Sequence, residues 1–528
     1  RGTIMNSVYK QSIKGLLLTA VALQLMTYTT AQEQRTFSSP LTIEMRKARA
    51  NWFESNNGAG IGLDSLRSYG SLEAGYQMTD GEFKRVQQGE KERQLSVETE
   101  GGQQLGNAYA WGRFSYHNET LRDTRFNTAM LDPYRGVPYY PVDPNLSDWK
   151  KQNYNLQMRV SSKPLFDRYL LGIRADYTAE TGAKQVDPRS ELYLYSINVK
   201  PGIIAIFGSH RVGLNLEYEN MIQETRGHSN SDDQVNQDVF VMRGLGNHYT
   251  AVIGGLQSLG SFVYDANKEG AGLQYGWQQQ ALRFFAEGGY SFRVEEAVRD
   301  ITKPRKEGTV RQQELYGHAA LLHEGVNLNR VALSYRSSRT DGIEFVQVLD
   351  NTYEVQQWVD IYSSVRSTYR RDTYRLSYDF YRNVGQEYSW KAGLHALYTV
   401  TDDNYIMPAS YMKIRDLYLG ANAKVNLPSG RSSRWVLGAN IVRKANREGG
   451  YLYGGADSES AVITEFMNPD VVYLKQDYYK VGGSVSYFSA VGLQKSSGLF
   501  LRLSADYYRP TEGEAKRVVT QLGMGLTF

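Results

Sequence analysis

Residues Gln521 to Phe528 read Q-L-G-M-G-L-T-F, and this stretch decides the fold. Val518, Thr520, Leu522, Met524, Leu526 and Phe528 fall on one face of an extended strand. Arg517, Val519, Gln521, Gly523, Gly525 and Thr527 fall on the other. An apolar face opposite a small and polar one suits a strand with lipid on one side and an aqueous lumen on the other.

The same division recurs backward along the chain. Leu499, Leu501 and Leu503 alternate with Phe500, Arg502 and Ser504; Tyr374, Leu376, Tyr378 and Phe380 alternate with Arg375, Ser377 and Asp379. Leu214, Leu216 and Tyr218 oppose Asn215, Glu217 and Glu219, while Leu156 and Met158 oppose Gln157 and Arg159. A soluble antiparallel sandwich alternates too, but its connections are short at both ends of its strands. Here the connections run long and short by turns. Residues 121–149, 224–269, 295–307, 339–364, 401–410 and 446–476 read as long loops. Residues 162–166, 200–208, 278–280, 324–328, 384–387, 428–433 and 489–497 read as short turns, with 182–188 and 510–515 intermediate. Long loops at one end and short turns at the other are the topology of a bacterial outer-membrane barrel. The expected fold is all-β: an antiparallel transmembrane β-barrel of about eighteen strands over residues 63–528, with sixteen as the alternative.

Gln521, Gly523, Leu526 and Phe528 also resemble, position for position, the C-terminal assembly signal of Gram-negative outer-membrane β-barrels. That resemblance implies outer-membrane lipid as the surroundings and the barrel assembly machinery as a partner. The other end of the chain agrees. Lys10 and Lys14 precede the apolar run Leu16 to Met26, and Thr29-Thr30-Ala31 offers a small-residue cleavage site, so residues 1–31 read as a secretory signal with Gln32 starting the mature protein.

Composition narrows the classes. With no Cys there is neither a disulfide framework nor a thiol site. A net charge of +4 with interspersed signs argues against nucleic acid. Mean hydropathy is −0.51, and past residue 26 no apolar run is long enough for a membrane-spanning helix. Forty Tyr and fifty Gly suit many twisted strands ringed by aromatic girdles.

Residues 32–62 look helical. Ser39 suits an N-cap and Pro40 the first helical position; Leu41, Met45, Ala48 and Trp52 fall on one side, and Gly58 to Gly62 would end the helix. Such a helix sits in the lumen as a hatch, lies on the membrane surface, or caps the mouth. A TonB-dependent receptor carries a folded plug far larger than this segment allows. The stretch Trp52 to Gly60 resembles the Asn-Pro-Ala-Gly element of fatty-acid-transporter-like barrels, with Gly58 where that family has Pro. More broadly the chain resembles uncharacterised outer-membrane barrels, some of them accessories to TonB-dependent uptake, which implies a TonB-dependent receptor or a surface lipoprotein as partner.

The residues point to no enzyme. His117, His210, His228, His248, His318, His323 and His395 are scattered singly, without metal-ligand spacing or a nucleophile partner, so no catalytic residue, metal or cofactor is expected. The charges on polar strand faces say more. Arg113, Arg159, Arg174, Arg211, Arg283, Arg375 and Arg502, with Asp176, Glu217, Glu287, Asp379 and Asp506, should line the lumen. They either form an electrostatic solute path or pair across strands to stiffen the barrel. In loop 121–149, Tyr134, Arg135, Tyr139, Tyr140 and Trp149 are rigid aromatic and cationic groups among four prolines. They suit contact with a ligand or partner, and equally an inward fold that closes the barrel. Two functions follow: a channel or transporter for a small solute, or a non-conducting accessory subunit of an uptake complex.

Overall fold

The structure, a computed structural model, describes residues 39–528 except 65, 67, 230–236, 254–259, 301–302, 353–355, 431 and 491–496. The expected signal segment and Gln32 lie outside the described residues. One helix, α1 (Pro40–Arg49), and a 3-10 turn (Gly58–Gly62) come first. The strands follow as β1 (Tyr69–Asp80), β2 (Lys91–Leu105), β3 (Ala108–Thr124), β4 (Pro141–Val142), β5 (Ser147–Ser162), β6 (Tyr169–Lys184) and β7 (Arg189–Phe207). Next come β8 (His210–Ser229), β9 (Gln237–Gly244), β10 (Asn247–Ile253), β11 (Phe262–Gln279), β12 (Leu282–Arg299), β13 (Arg305–Glu324) and β14 (Leu328–Asp350). The chain finishes with β15 (Gln357–Val384), β16 (Glu387–Tyr405), β17 (Ser410–Ser429), β18 (Ser433–Leu452), a π-helical turn (Val462–Met467) running into α2 (Asn468–Lys475), β19 (Tyr478–Ala490), β20 (Gly498–Pro510) and β21 (Arg517–Thr527).

Eighteen of these strands form one antiparallel sheet of sequential neighbours, and β21 pairs with β1 from Ser71↔Thr527 to Asp80↔Val518, so the sheet closes on itself. Phe528 extends the seam, its N–H donating to the Gly70 carbonyl at 3.0 Å and its carbonyl accepting from the Gly70 N–H at 2.8 Å. The eighteen-strand barrel read from the alternation is the observed fold. Strands β4, β9 and β10 make a separate small sheet inside the loop end.

The outward face is apolar through the middle of the wall. Leu216, Leu333, Leu376, Leu394, Leu501, Leu503, Leu522 and Met524 are all exposed there. Aromatics bracket it: Tyr335, Tyr374 and Tyr398 stack in a row toward the loop end, while Phe380–Trp390 and Trp435–Tyr487 pair toward the turn end. Trp390 and Tyr398 are separated by about 27 Å of strand, which after tilting matches an apolar band of roughly 25 Å.

Several expected boundaries are corrected. Residues 200–208 are not a turn: β7 runs to Phe207, because Ile203, Ala205 and Phe207 carry the outward alternation through Pro201. Most of 339–364 is strand, β14 and β15 pairing out to Asp350↔Gln357. Residues 262–269 and 295–299 are likewise strand. Beyond the apolar band both faces of a strand are wet, so apolar alternation carries no signal there.

The helix also stops earlier than expected, at Arg49. Asn51 and Asn57 compete with the helical backbone, and the Asn57 side chain instead accepts from the Ala59 N–H at 3.0 Å to start the 3-10 turn. Gly58 to Gly62 therefore forms that turn rather than terminating α1.

Candidate functional site: a lumen closed at both ends

Helix α1 lies inside the barrel near the turn end. Ser39 caps it, accepting from the Thr42 N–H at 3.0 Å, and donates from Oγ to Glu387 at 2.6 Å. Leu41, Met45 and Ala48, predicted to share one face, pack on Leu322, Leu328, Tyr381 and Tyr388 of the inner wall. Its charges reach other strands. Glu44 is held between Lys391 and Lys424 and accepts from Tyr388 at 3.0 Å. Burial opposes ionisation of Glu44, but the two ammonium groups outweigh it and hold the carboxyl below its usual range. Lys47 pairs with Glu100 at 2.5 Å, and Arg49 with Glu324 at 2.7 Å.

After the helix the chain crosses the floor of the lumen in a groove made by inward-facing glycines. A Cβ at Gly172 would lie 2.2 Å from the Ala59 nitrogen, one at Gly202 2.2 Å from Asn57 Oδ1, and one at Gly276 2.7 Å from the Trp52 ring. No side chain fits between the segment and the wall of β6, β7 and β11. Asn57 Nδ2 donates to the carbonyls of Ile203 and Leu214, each at 3.1 Å, satisfying wall groups directly. Glu287 accepts from the Asn56 N–H at 3.0 Å, and Glu54 pairs with Arg330 at 2.8 Å.

Asp64 completes this floor. Burial raises its carboxyl to about 7, against the N–H groups of Trp52 and Phe53 and the guanidinium groups of Arg283 and Arg330, which lower it. One carboxyl oxygen has no partner, as suits a protonated acid. Because the docked value lies above the free value of 3.8, docking is favoured fully below that value and loses this contribution as pH rises through 7. Hydrogen-exchange protection of residues 51–64 in micelles, measured relative to the base-catalysed intrinsic rate at each pH, is expected to fall between pH 6 and 8, and Asp64→Asn to flatten that profile. An identical fall in the Asn variant would refute this assignment.

The loop end is filled by a different construction. Phe126, Met130, Tyr139, Tyr140 and Val142 from the connection after β3, Val239, Val241 and Met242 of β9, and Val462, Ile463 and Phe466 of the π-helical turn form one buried cluster against Phe262, Tyr264, Ala297 and Val310 of the inner wall. Tyr139 lies flat against Gly308, where a Cβ would come within 2.3 Å of the ring. Ion pairs pin the rim: Arg85–Asp470, with Nε to Oδ1 at 3.0 Å, Lys184–Asp143 at 3.1 Å and Arg243–Glu344 at 2.9 Å.

The binding candidates of loop 121–149 are therefore placed within this lid. Tyr139, Tyr140 and Trp149 are buried, Arg135 pairs with Glu295 and covers the Tyr264 ring, and Tyr134 lies under the Arg85 guanidinium at 4.1 Å. In this state they pack the lid and do not face the medium.

The luminal charges sit on inward faces. Arg113 meets Glu98 at 2.7 Å, Arg174 meets Asp176 at 2.9 Å, Arg283 meets Glu324 at 2.9 Å and Arg502 meets Glu73 at 3.5 Å. Glu217 bridges Lys200 and Lys268, and Asp506 pairs with Lys480. Arg159 donates to the Phe53 carbonyl and Arg211 to that of Ser209. Arg375 and Asp379 face a cavity of about 420 Å3 between the two seals, and Arg211 and Arg283 line another of about 380 Å3 beside the hatch. Alternation puts Lys391 on the polar face of its strand, but sequence reasoning singled out neither it, Lys424 nor the wall glycines as what holds the segment. For the glycines the one signal was their place on inward strand faces, marking a close backbone approach.

The family described as "Family of unknown function (DUF6850)" matches residues 58–528, and the chain belongs to it. No curated protein matches. Among solved structures the chain is similar to BauA, the ferric preacinetobactin receptor of Acinetobacter baumannii, at 9% identity and a TM-score of 0.39, over 87% of this chain and 80% of that one. It is similar to the copper transporter OprC at 10% identity and 0.39, over 87% and 80%, and to the Pseudomonas aeruginosa outer membrane protein opdK at 10% and 0.32, over 87% and 98%. These comparisons do not show the fatty-acid-transporter likeness of residues 52–60.

Proposed function

We propose that this member of a family of unknown function is a gated outer-membrane transporter for a small polar solute, opened by displacement of residues 39–64 below and of the loop lid above. The apolar outward band between aromatic rows supports a membrane setting, and the alternation of long and short connections supports a reading with the lid at the outer mouth and the hatch at the periplasmic end of the lumen. One observation carries the reading. Among the described residues the hatch adds no strand to the wall: it is fastened by ion pairs and hydrogen bonds from Glu44, Lys47, Arg49, Glu54 and Asn57 and by apolar patches at Leu41, Met45, Trp52 and Ile61, so it can leave with every barrel ladder intact. Planar-bilayer current through a barrel with both seals released tests it. A folded barrel that stays silent with both seals released would overturn it.

A second observation favours the accessory reading. Above the last pairings with β13 and β16, the β14–β15 hairpin continues alone. Val346 and Val348 share the face of Glu344, which points inward to Arg243, and they are exposed beside Val359, Ile361 and Tyr362. A partner seated on the mouth would cover this apolar face. Copurification of a surface protein that is lost on Val346→Asp would support that role.

A further inference from the structure

Arg375 stands apart among the luminal arginines predicted from sequence. It is exposed within the barrel, and among the described residues no group pairs with it. It faces the cavity of about 420 Å3 between hatch and lid, whose wall is set by three rows of the β15–β16–β17 ladder. Arg375 aligns with Leu397 and Tyr418, Ser377 with His395 and Gly420, and Asp379 with Gly393 and Asn422. The two glycines make the recess. Asp379 and Asn422 both lean over Gly393, where a Cβ would lie 2.7 Å from Asp379 Oδ1 and 2.8 Å from Asn422 Nδ2. The His395 ring leans likewise over Gly420, whose Cβ would come within 2.1 Å of Nε2.

These groups have complementary demands. A free guanidinium in a recess takes a carboxylate through two parallel N–H donors. Asp379 only accepts, Asn422 does both, and His395 and Ser377 add further polar atoms, which suits a ligand rich in hydroxyls. Leu397 and the Tyr418 ring offer an apolar side for C–H groups. A phosphate dianion fits worse, since one guanidinium leaves half its charge uncompensated beside Asp379. A volume of about 420 Å3 lies within the range of small-ligand pockets.

We propose that this recess binds a monocarboxylated sugar of the uronic acid type, its carboxylate on Arg375 and its hydroxyls on Asp379, Asn422 and His395. The proposal rests on the lumen being a solute path and names the class of solute that path takes.

Isothermal titration in detergent of the full chain, and of its Glu44→Lys, Gly308→Val double variant in which both seals are released, with galacturonate, galactose and inorganic phosphate tests it. Galacturonate should bind about tenfold or more tighter than galactose, as a charge-assisted bidentate contact predicts. Arg375→Gln should bring galacturonate to the galactose level and leave galactose unchanged, while Arg113→Gln, remote on β3, changes neither. Asn422→Ala should weaken both sugars and keep the carboxylate preference. Heat-modifiable gel mobility establishes that each variant is folded. Equal affinities for the two sugars, tighter binding of phosphate than of galacturonate, or no binding at all would overturn the proposal. Its failure is distinct from that of the transport reading: current through the released barrel without galacturonate binding removes only the site, and binding without current removes only transport.

Discussion

A chain ended at Val519 is expected to leave almost no heat-modifiable barrel in the membrane, where the full chain gives a folded band. The lost residues pair on both sides, with β20 from Gly498↔Thr527 to Ala505↔Thr520 and with β1 from Ser71↔Thr527 to Met78↔Thr520. Without them two strand edges face lipid, and each unsatisfied N–H or carbonyl there costs several kcal/mol, on the order of tens in total. Phe528→Ala should act in the same direction but less, since it removes only the aromatic that covers Gly70. Gly70→Leu tests the contact from the other side, because a Cβ at Gly70 would come within 2.2 Å of the Phe528 ring. Normal folded yield from the Val519 truncation would mean that β21 does not close the barrel.

The barrel wall was legible in the sequence because a membrane strand states its two solvents residue by residue. Leu499, Leu501 and Leu503 against Arg502 and Ser504 leave one orientation available, and register follows from it. The hatch was half legible. Ser39, Pro40 and the Leu41–Met45–Ala48 stripe gave the helix, but its place in the lumen depends on Glu44 finding Lys391 and Lys424, hundreds of residues downstream, which no local pattern encodes. The lid was least legible. Tyr139 and Tyr140 read equally well as exposed anchors or as core, and what decides for Tyr139 is the space left opposite it at Gly308 and Gly342. Arg375 was visible as a luminal charge; only the structure shows that Arg113, Arg174, Arg283 and Arg502 find carboxylates while, among the described residues, Arg375 does not.

Releasing the two seals together is expected to raise current far more than releasing either alone. Glu44→Lys sets three ammonium groups together where one carboxylate now joins two. With the Glu44 side chain 29% exposed, the loss should fall below the figure for a fully buried pair, at about 2 kcal/mol or some thirtyfold in hatch opening. Gly308→Val evicts the Tyr139 ring, which is wholly buried, at about 3 kcal/mol, or more than about a hundredfold in lid opening. The two sites share no partner: Glu44 bonds Lys391, Lys424 and Tyr388, while Tyr139 rests on Gly308 and accepts from Tyr264. Their free energies should therefore add. Gates in series multiply, so the double variant should conduct on the order of several thousandfold more than the full chain, until both gates stand open. Planar-bilayer recording of the four proteins, each first shown to be heat-modifiable, measures this. Full current from Glu44→Lys alone would mean that the lid is no barrier, and full current from Gly308→Val alone would mean the same of the hatch. The product of the single effects is the signature of two doors on one passage.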